Sequence, residues 1–211
     1  MDQAYTRTMG KNKRSTQYLN PGTLASIIID NELLLRSYEV DDFQELYNAI
    51  NNSRRHLAPW LNWVSKTTKP EHSLQFIRKS QDQMHDQEAL ALGIFFKDKV
   101  IGGIGMHEWD QATKKAQLGY WIATEYEGKG IILKSLIPFV DYLFEKTGLN
   151  KIEIHYVAAN KRSAKVAARL GFIIEGIIRQ SCLRNGIMED IVITGLLRNE
   201  WNAAAVKERN S

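Results

Sequence analysis

The stretch Leu118-Gly-Tyr-Trp-Ile-Ala-Thr-Glu-Tyr-Glu-Gly-Lys-Gly-Ile131 governs how the rest of the chain is read. Its first half is a run of strand-forming residues, and its second half is a turn with glycine at 128 and 130 that opens a helix. The first amides of a helix have no intrahelical acceptor, and the positive end of the helix dipole lies there. Glycine at 128 and 130 lets a bulky anion come close, so the amides from Gly128 to Ile131 either form a site for a phosphate or diphosphate or belong to a tight loop with no ligand. Two nucleotide motifs weaken at this turn. A P-loop needs Gly-Lys-Ser/Thr with a second glycine upstream, but Gly130 follows Lys129 and Ala123 holds the upstream position. A dinucleotide fingerprint needs a third glycine where Leu133 stands, and an acidic residue further on where Asn150 and Lys151 stand.

Working outward, residues 89–96, 100–109 and 116–122 read as three consecutive antiparallel strands joined by polar turns. Before them, 27–29 and 33–35 form a ribbon around Asp30-Asn31. A helix capped by Asp41 carries Phe43, Leu46, Tyr47 and Ile50 on one stripe, and a second helix runs from Pro70 to about His85 with Leu74, Ile77 and Met84 inward. After the glycine turn, 130–145 is helical, with Ile132, Leu136, Phe139, Val140 and Leu143 on one stripe and Gly148 as its stop. Pro138 deletes one backbone hydrogen bond of that helix. Residues 151–158 form a strand, and a short helix over 161–170 is capped by Asn160 and stopped by Gly171. Strands over 172–178 and 190–197 close the chain around a turn containing Asn185-Gly186. The fold class is α/β in the α+β sense: one domain over 26–198, with a mixed, mostly antiparallel sheet flanked by helices. Residues 1–25 are a polar, basic extension carrying Lys11, Lys13 and Arg14, read as a solvated tail or a ribosome or RNA contact, and 199–211 are a C-terminal tail.

Composition narrows the class. The 211 residues carry 28 Lys+Arg against 24 Asp+Glu and 44% hydrophobic side chains, as expected of one globular domain with its own core. Cys182 is the only cysteine, so no disulfide framework and no cysteine-based metal site is expected. The longest nearly apolar run, 89–96, is far shorter than the roughly 20 residues of a membrane helix, and the first residues lack a secretory signal. The expected address is cytoplasmic, without membrane or metal.

Four ordered segments resemble a known family. Leu118-Gly-Tyr-Trp-Ile122, Glu127-Gly-Lys-Gly-Ile131, Asn160-Lys-Arg-Ser163 and Leu170-Gly-Phe-Ile-Ile-Glu-Gly176 are similar to the motifs of the Gcn5-related N-acetyltransferases, the GNAT superfamily. The resemblance is nearest to the RimJ/RimL-type ribosomal-protein branch. It implies a GNAT fold with splayed central strands and acetyl-CoA as cosubstrate, its pantetheine arm lying between the strand ending at Ile122 and the strand 151–158. It implies cofactor contacts at Tyr120, Trp121, Ile122, Glu127, Gly128, Lys129, Gly130, Ile131, Asn160, Arg162 and Ser163. The Ile122 amide is then suited to polarise the thioester carbonyl. Lys161, Arg162 and Lys165 either meet CoA phosphates or form a solvated helix face.

The resemblance also assigns chemistry, with alternatives left open. Asn160 and Ser163 either cap a helix or meet the pantetheine arm and the CoA sulfur. Many relatives carry tyrosine seven residues after this Asn, where Ala167 stands here, which makes Ser163 the substitute proton donor. His107 is the first choice for the base, with Glu108, Glu153, His155 or a water as rivals; Gln117 stands where related chains often have Glu. Trp60 and Trp63 either pack or wall a peptide groove, as in the similar Pro59-Trp60-Leu61-Asn62-Trp63 segment of that branch. A neutral amine is needed, and an α-amine near pKa 8 supplies it more readily than a lysine near 10.4. The expected partner is therefore a protein N-terminus, possibly on a ribosomal protein, attacked directly and without nucleic acid being required, by a monomer or homodimer. The rival acceptors are a polyamine, an antibiotic or another metabolite amine, and the rival class is a non-catalytic acyl-CoA-binding module. A covalent route through Cys182 has no neighbouring histidine in sequence to support it.

Overall fold

A computed structural model describes residues 26–209; the basic extension over 1–25 lies outside the described residues. Eight strands form one sheet, β1 (Ser26–Ile28), β2 (Leu33–Ser37), β3 (Leu90–Phe96), β4 (Lys99–Asp110), β5 (Lys115–Ile122), β6 (Lys151–Val157), β7 (Ile173–Arg184) and β8 (Ile187–Leu197). Their order is β1-β2-β3-β4-β5-β6-β8-β7, and every neighbouring pair is antiparallel except β5 with β6. Among the described residues six α-helices cover it: α1 (Phe43–Asn52), α2 (Arg54–Leu57), α3 (Pro70–His85), α4 (Ile131–Lys146), α5 (Lys161–Leu170) and α6 (Ala203–Arg209).

The strand period of two divides the core between the faces. Leu90, Leu92 and Ile94 of β3 pack with Leu136, Phe139, Val140 and Leu143 of α4, whereas Phe95 turns the other way to join Leu46 and Ile50 of α1, Leu57 of α2 and Ile77 of α3. On α3 the buried stripe is Ser73, Ile77 and Ser80, spaced i, i+4, i+7; Leu74 and Met84 are only partly buried. Serine at two of the three inward positions lacks the apolar signature that periodicity detects. The first helix is anchored by Asp42, not Asp41. Asp42 accepts a hydrogen bond from the Glu39 amide (2.7 Å) and a paired one from the Arg36 guanidinium (2.7 and 2.8 Å), while Asp41 is exposed. Helix α4 continues through Pro138, carried by its buried stripe.

Two boundaries differ from the sequence reading. The Asn185-Gly186 turn is a two-residue hairpin in which Arg184 pairs with Ile187, so β7 and β8 run together well beyond 172–178 and 190–197. The segment after 198 is more than a tail, because it carries α6, which buries Val206 (1% exposed) against the α4 side of the sheet. Val206→Ala removes two buried carbons and is expected to cost about 1.5 kcal/mol. A domain of this size should then melt about 3–6 °C lower in a thermal scan; an unchanged melting temperature would mean that α6 contributes nothing to the fold.

Candidate active site

The parallel pair β5–β6 is where the sheet opens. The two strands pair only at Lys115 with Lys151, Ala116 with Ile152 and Gln117 with Glu153, and from Leu118 onward the described residues supply no ladder between them. Backbone groups alternate sides along a strand. The Ala123 amide donates to the Ile101 carbonyl (2.7 Å), on the β4 side, so Trp121 shares that direction while Tyr120 and Ile122 turn their amides and carbonyls into the gap. These free groups are what a pantetheine arm with its two amides needs.

The gap leads to the glycine turn. Gly128 and Gly130 both have φ of +71°, and Gly130 is the N-cap residue that immediately precedes α4. Left-handed conformation at two nearby positions curls the amides into a concave nest, the geometry that holds anions. A Cβ built on either glycine meets nothing within 4 Å, so the space in front of the nest is not taken by the protein itself. Lys129 is exposed, with its ammonium 5.0 Å from the centre of the Tyr126 ring.

A cavity of about 560 Å³ follows this path and is lined by Tyr120, Trp121, Ile122, Glu127, Gly128, Gly130, Ile131, Asn160, Arg162 and Ser163. The expected cofactor positions thus converge, with Lys129 alone outside the lining. On α5 the lining cations are Arg162, Lys165 and Arg169, one helix face at i, i+3 and i+7. Lys161, expected among them, instead points back to the Ala158 carbonyl (3.3 Å). The Glu127 carboxylate accepts from Arg162 (2.7 Å) and contacts His56, so it orients both side chains at the cavity mouth and would repel a phosphate itself. His56 has no motif around it and could be found only from the fold, since α2 brings it to the turn.

Asn160 performs its capping role, its side-chain oxygen accepting from the Ser163 amide (3.1 Å). The Ser163 hydroxyl is free for another contact, which it makes with the Tyr120 hydroxyl (2.8 Å). Burial raises the Tyr120 pKa, the Ser163 hydrogen bond opposes the rise, and the result is about 12. Sequence reading placed Tyr120 among the cofactor contacts and gave its hydroxyl no part; that hydroxyl meets Ser163 near the start of α5, while Ala167 is buried in the core. Cys182 and His155 line the same cavity. His155 was expected on the strand that borders the gap, whereas Cys182 was not legible there, because the reach of β7 depends on how tightly its hairpin turns.

A second cavity of about 730 Å³ lies on the side of α1 and α3. It holds Trp60, Trp63 and His107, and it shares Trp60, Leu61, Asn62, Gly119, Tyr120 and Trp121 with the first. Trp63 meets Trp121 edge to face at 6.1 Å, and Arg184 of the long hairpin stacks on Trp60 at 4.9 Å. Both tryptophans therefore pack and wall the cavity at once. The His107 ring lies against Gly119, since a Cβ there would stand 3.5 Å from Nε2. A bulge follows His107, with Glu108 at φ +50°, and such irregularities re-aim side chains. His107 is open to the cavity yet crowded by protein, and that partial burial lowers its pKa below 6.5, with nearby His155 adding to the effect and Glu108 opposing it.

The rival bases are engaged. Glu108 accepts from Gln117. Burial would raise the Glu153 carboxyl, but hydrogen bonds from Lys151 (3.1 Å) and His155 (2.9 Å) outweigh it and hold the group low, so it remains a paired carboxylate.

An opened parallel strand pair running into an anion nest, with a second cavity across the same strand, defines a transferase that uses an acyl-CoA thioester. The acetyltransferase (GNAT) domain family matches residues 32–173, and the chain belongs to that family. It is 31% identical over 174 residues to a Bacillus subtilis (strain 168) protein named "Putative ribosomal N-acetyltransferase YdaF", covering 82% of this chain and 95% of that one. It is 26% identical over 166 residues to the Escherichia coli (strain K12) ribosomal-protein-serine acetyltransferase, covering 79% and 93%. Among solved structures, the microcin C7 self-immunity acetyltransferase MccE, in complex with acetyl-CoA and AMP, is similar at a TM-score of 0.76 with 27% identity over 81% of this chain and 95% of that one. The protein is accordingly an acetyl-CoA-dependent N-acetyltransferase of single GNAT-fold architecture. Among the described residues, no helix is long and apolar enough to cross a membrane.

Proposed function

We propose that the protein transfers the acetyl group of acetyl-CoA to the N-terminal α-amine of a protein, with ribosomal proteins as the first acceptors to test. The observation that carries this reading is that the two cavities share Gly119, Tyr120 and Trp121, so a donor in one and an acceptor in the other would meet at one strand. The names of the Bacillus and Escherichia relatives support the ribosomal acceptor. Acetyl-CoA supplies an activated carbonyl, and this chain's residues do the rest.

In this proposal the Gly128 to Ile131 amides and the α5 cations hold the diphosphate end, while the Tyr120 and Ile122 backbone groups align the pantetheine arm. The Ile122 amide donates to the carbonyl oxygen as charge develops there. His107 takes the proton that the attacking amine loses as the C–N bond forms and the C–S bond breaks. The Tyr120 hydroxyl, oriented by Ser163, donates a hydrogen bond to the departing sulfur.

The lowered pKa of His107 keeps its imidazole neutral, hence basic, at neutral pH. The sign for stability follows the same cause. The folded state holds this proton less tightly than the unfolded chain, so the group's contribution is complete above about 6.5 and is lost as pH falls toward the lowered folded value. His107→Gln is expected to reduce kcat/KM roughly tenfold at pH 7.5 and to flatten the fall in rate on the acid side. An acid limb identical to wild type would remove His107 as the base. The acceptor is tested by incubating the enzyme with labelled acetyl-CoA and ribosomal extract and identifying labelled residues by mass spectrometry. Label on amino termini supports the reading, and label confined to internal lysines overturns it.

A further inference from the structure

We infer that the second cavity selects an amine carried on an electrically neutral amino-terminal segment, one of whose oxygens bonds the Ser73 hydroxyl, and rejects polycations. The inference rests on the α-amine reading above and narrows it. Among the described residues, three buried side-chain polar atoms lack a hydrogen-bond partner: Ser73 Oγ, Ser135 Oγ and Arg184 Nε. Of these residues only Ser73 lines either cavity. It sits in the first turns of α3 and is 1% exposed. A helix serine can pair with a carbonyl one turn back, as Ser80 does with Ile77 (2.8 Å), but Ser73 does not. A buried hydroxyl left unpaired costs about 1–3 kcal/mol, a cost that an acceptor oxygen in the cavity would remove once rotation about χ1 turns the Ser73 hydroxyl, now closed off from solvent, toward the space its residue lines.

The charge of the lining points the same way. Among the described residues no aspartate or glutamate contributes to it, whereas Lys66 does, and most of the remaining wall is aromatic or aliphatic. A polyamine would bring at least one further ammonium into this space with no carboxylate to meet it. Desolvating an unpaired charge costs several kcal/mol. The faces of Trp63 and Trp121 would return only about 0.5–2 kcal/mol as cation–π attraction. The repulsive side of the selection is therefore the larger, and it disfavours polycations without any clash. A peptide amino terminus delivers one amine, neutral at the moment of attack, followed by carbonyl oxygens within reach of a serine hydroxyl.

The test uses the full chain with saturating acetyl-CoA and follows CoA release with a neutral Ser-first peptide and with spermidine, for wild type, Ser73→Ala and Ser73→Thr. For wild type, kcat/KM should favour the peptide by at least 100-fold. Ser73→Ala should raise the peptide KM about tenfold with kcat nearly unchanged, and Ser73→Thr should restore most of the loss. The Ser73→Ala melting temperature should stay level or rise, because the orphaned hydroxyl is gone. Spermidine within 100-fold of the peptide, or an unchanged peptide KM in Ser73→Ala, overturns the inference. If the peptide is not acetylated while acetyl-CoA still raises the melting temperature, the α-amine reading itself falls, and this inference falls with it. Failure of the inference alone is recognised by peptide turnover that ignores Ser73 or charge.

Discussion

Replacing Gly128 or Gly130 with valine should abolish stabilisation by acetyl-CoA while leaving a folded protein. Both glycines lie at φ +71°, where a β-branched residue is strained by about 1–2 kcal/mol. That cost is small against the stability of a domain, and no protein atom stands within 4 Å of the added Cβ at either position. The side chain instead projects into the space that the amide nest offers to a diphosphate. Two losses then combine: the nest relaxes toward a right-handed backbone, and the anion is held away from the first amides of α4. For wild type at 100 times Kd, acetyl-CoA should add about 2.7 kcal/mol of stability, visible as a rise of several degrees in melting temperature. Each valine variant should melt a few degrees lower without ligand and show no rise with it, and kcat/KM for acetyl-CoA should fall at least 100-fold. ATP and NAD should not stabilise the wild type. A valine variant that keeps the full ligand shift would show that the diphosphate is held elsewhere.

The glycine turn was legible in the sequence for a physical reason. Anion binding by a helix N-terminus uses backbone amides, and the sequence records it through the glycines that give those amides room. The sheet was legible because β3 to β5 are short apolar runs separated by polar turns, a length and spacing that suit consecutive strands. What stayed hidden depends on contacts between distant segments. His56 reaches Glu127 and Arg162 only because α2 folds across the glycine turn. Cys182 enters the cavity only because the tight turn at Asn185-Gly186 extends β7 by six residues past 178. Ser73 and Ser80 were missed because a small polar residue on an inward helix face looks like a surface residue to any hydropathy pattern. Lys161 was expected to join a basic cluster that helical geometry assigns to Arg162, Lys165 and Arg169 instead. The Tyr120 hydroxyl was missed because its contact with Ser163 depends on how α5 packs against β5, which no local pattern records.

Tyr120→Phe tests that role, and the magnitude of the pKa shift decides what kind of role it is. A tyrosine with pKa about 12 remains protonated across the whole working range, so its hydroxyl always has a hydrogen to offer. Complete proton transfer to a thiolate of pKa near 8.5 would be uphill by roughly 5 kcal/mol, too much for a group expected to deliver its proton outright. Donation of a strong hydrogen bond to the developing thiolate carries no such penalty. Ser163 keeps the hydroxyl aimed at 2.8 Å and tempers the rise in pKa by favouring the ionised form. Phenylalanine preserves the ring and its packing, so the loss should appear as a fall of about 100-fold in kcat, with KM for acetyl-CoA within a factor of two. Ser163→Ala should cost less, about three- to tenfold, because the hydroxyl remains but its aim is lost. The pH profile separates the two mechanisms. As a hydrogen-bond donor, Tyr120 produces no alkaline limb below about pH 11, and wild type and Tyr120→Phe should keep the same profile shape at different heights. A wild-type rate that falls between pH 8 and 10, with that fall removed in Tyr120→Phe, would instead mean that Tyr120 titrates during turnover and protonates the sulfur directly.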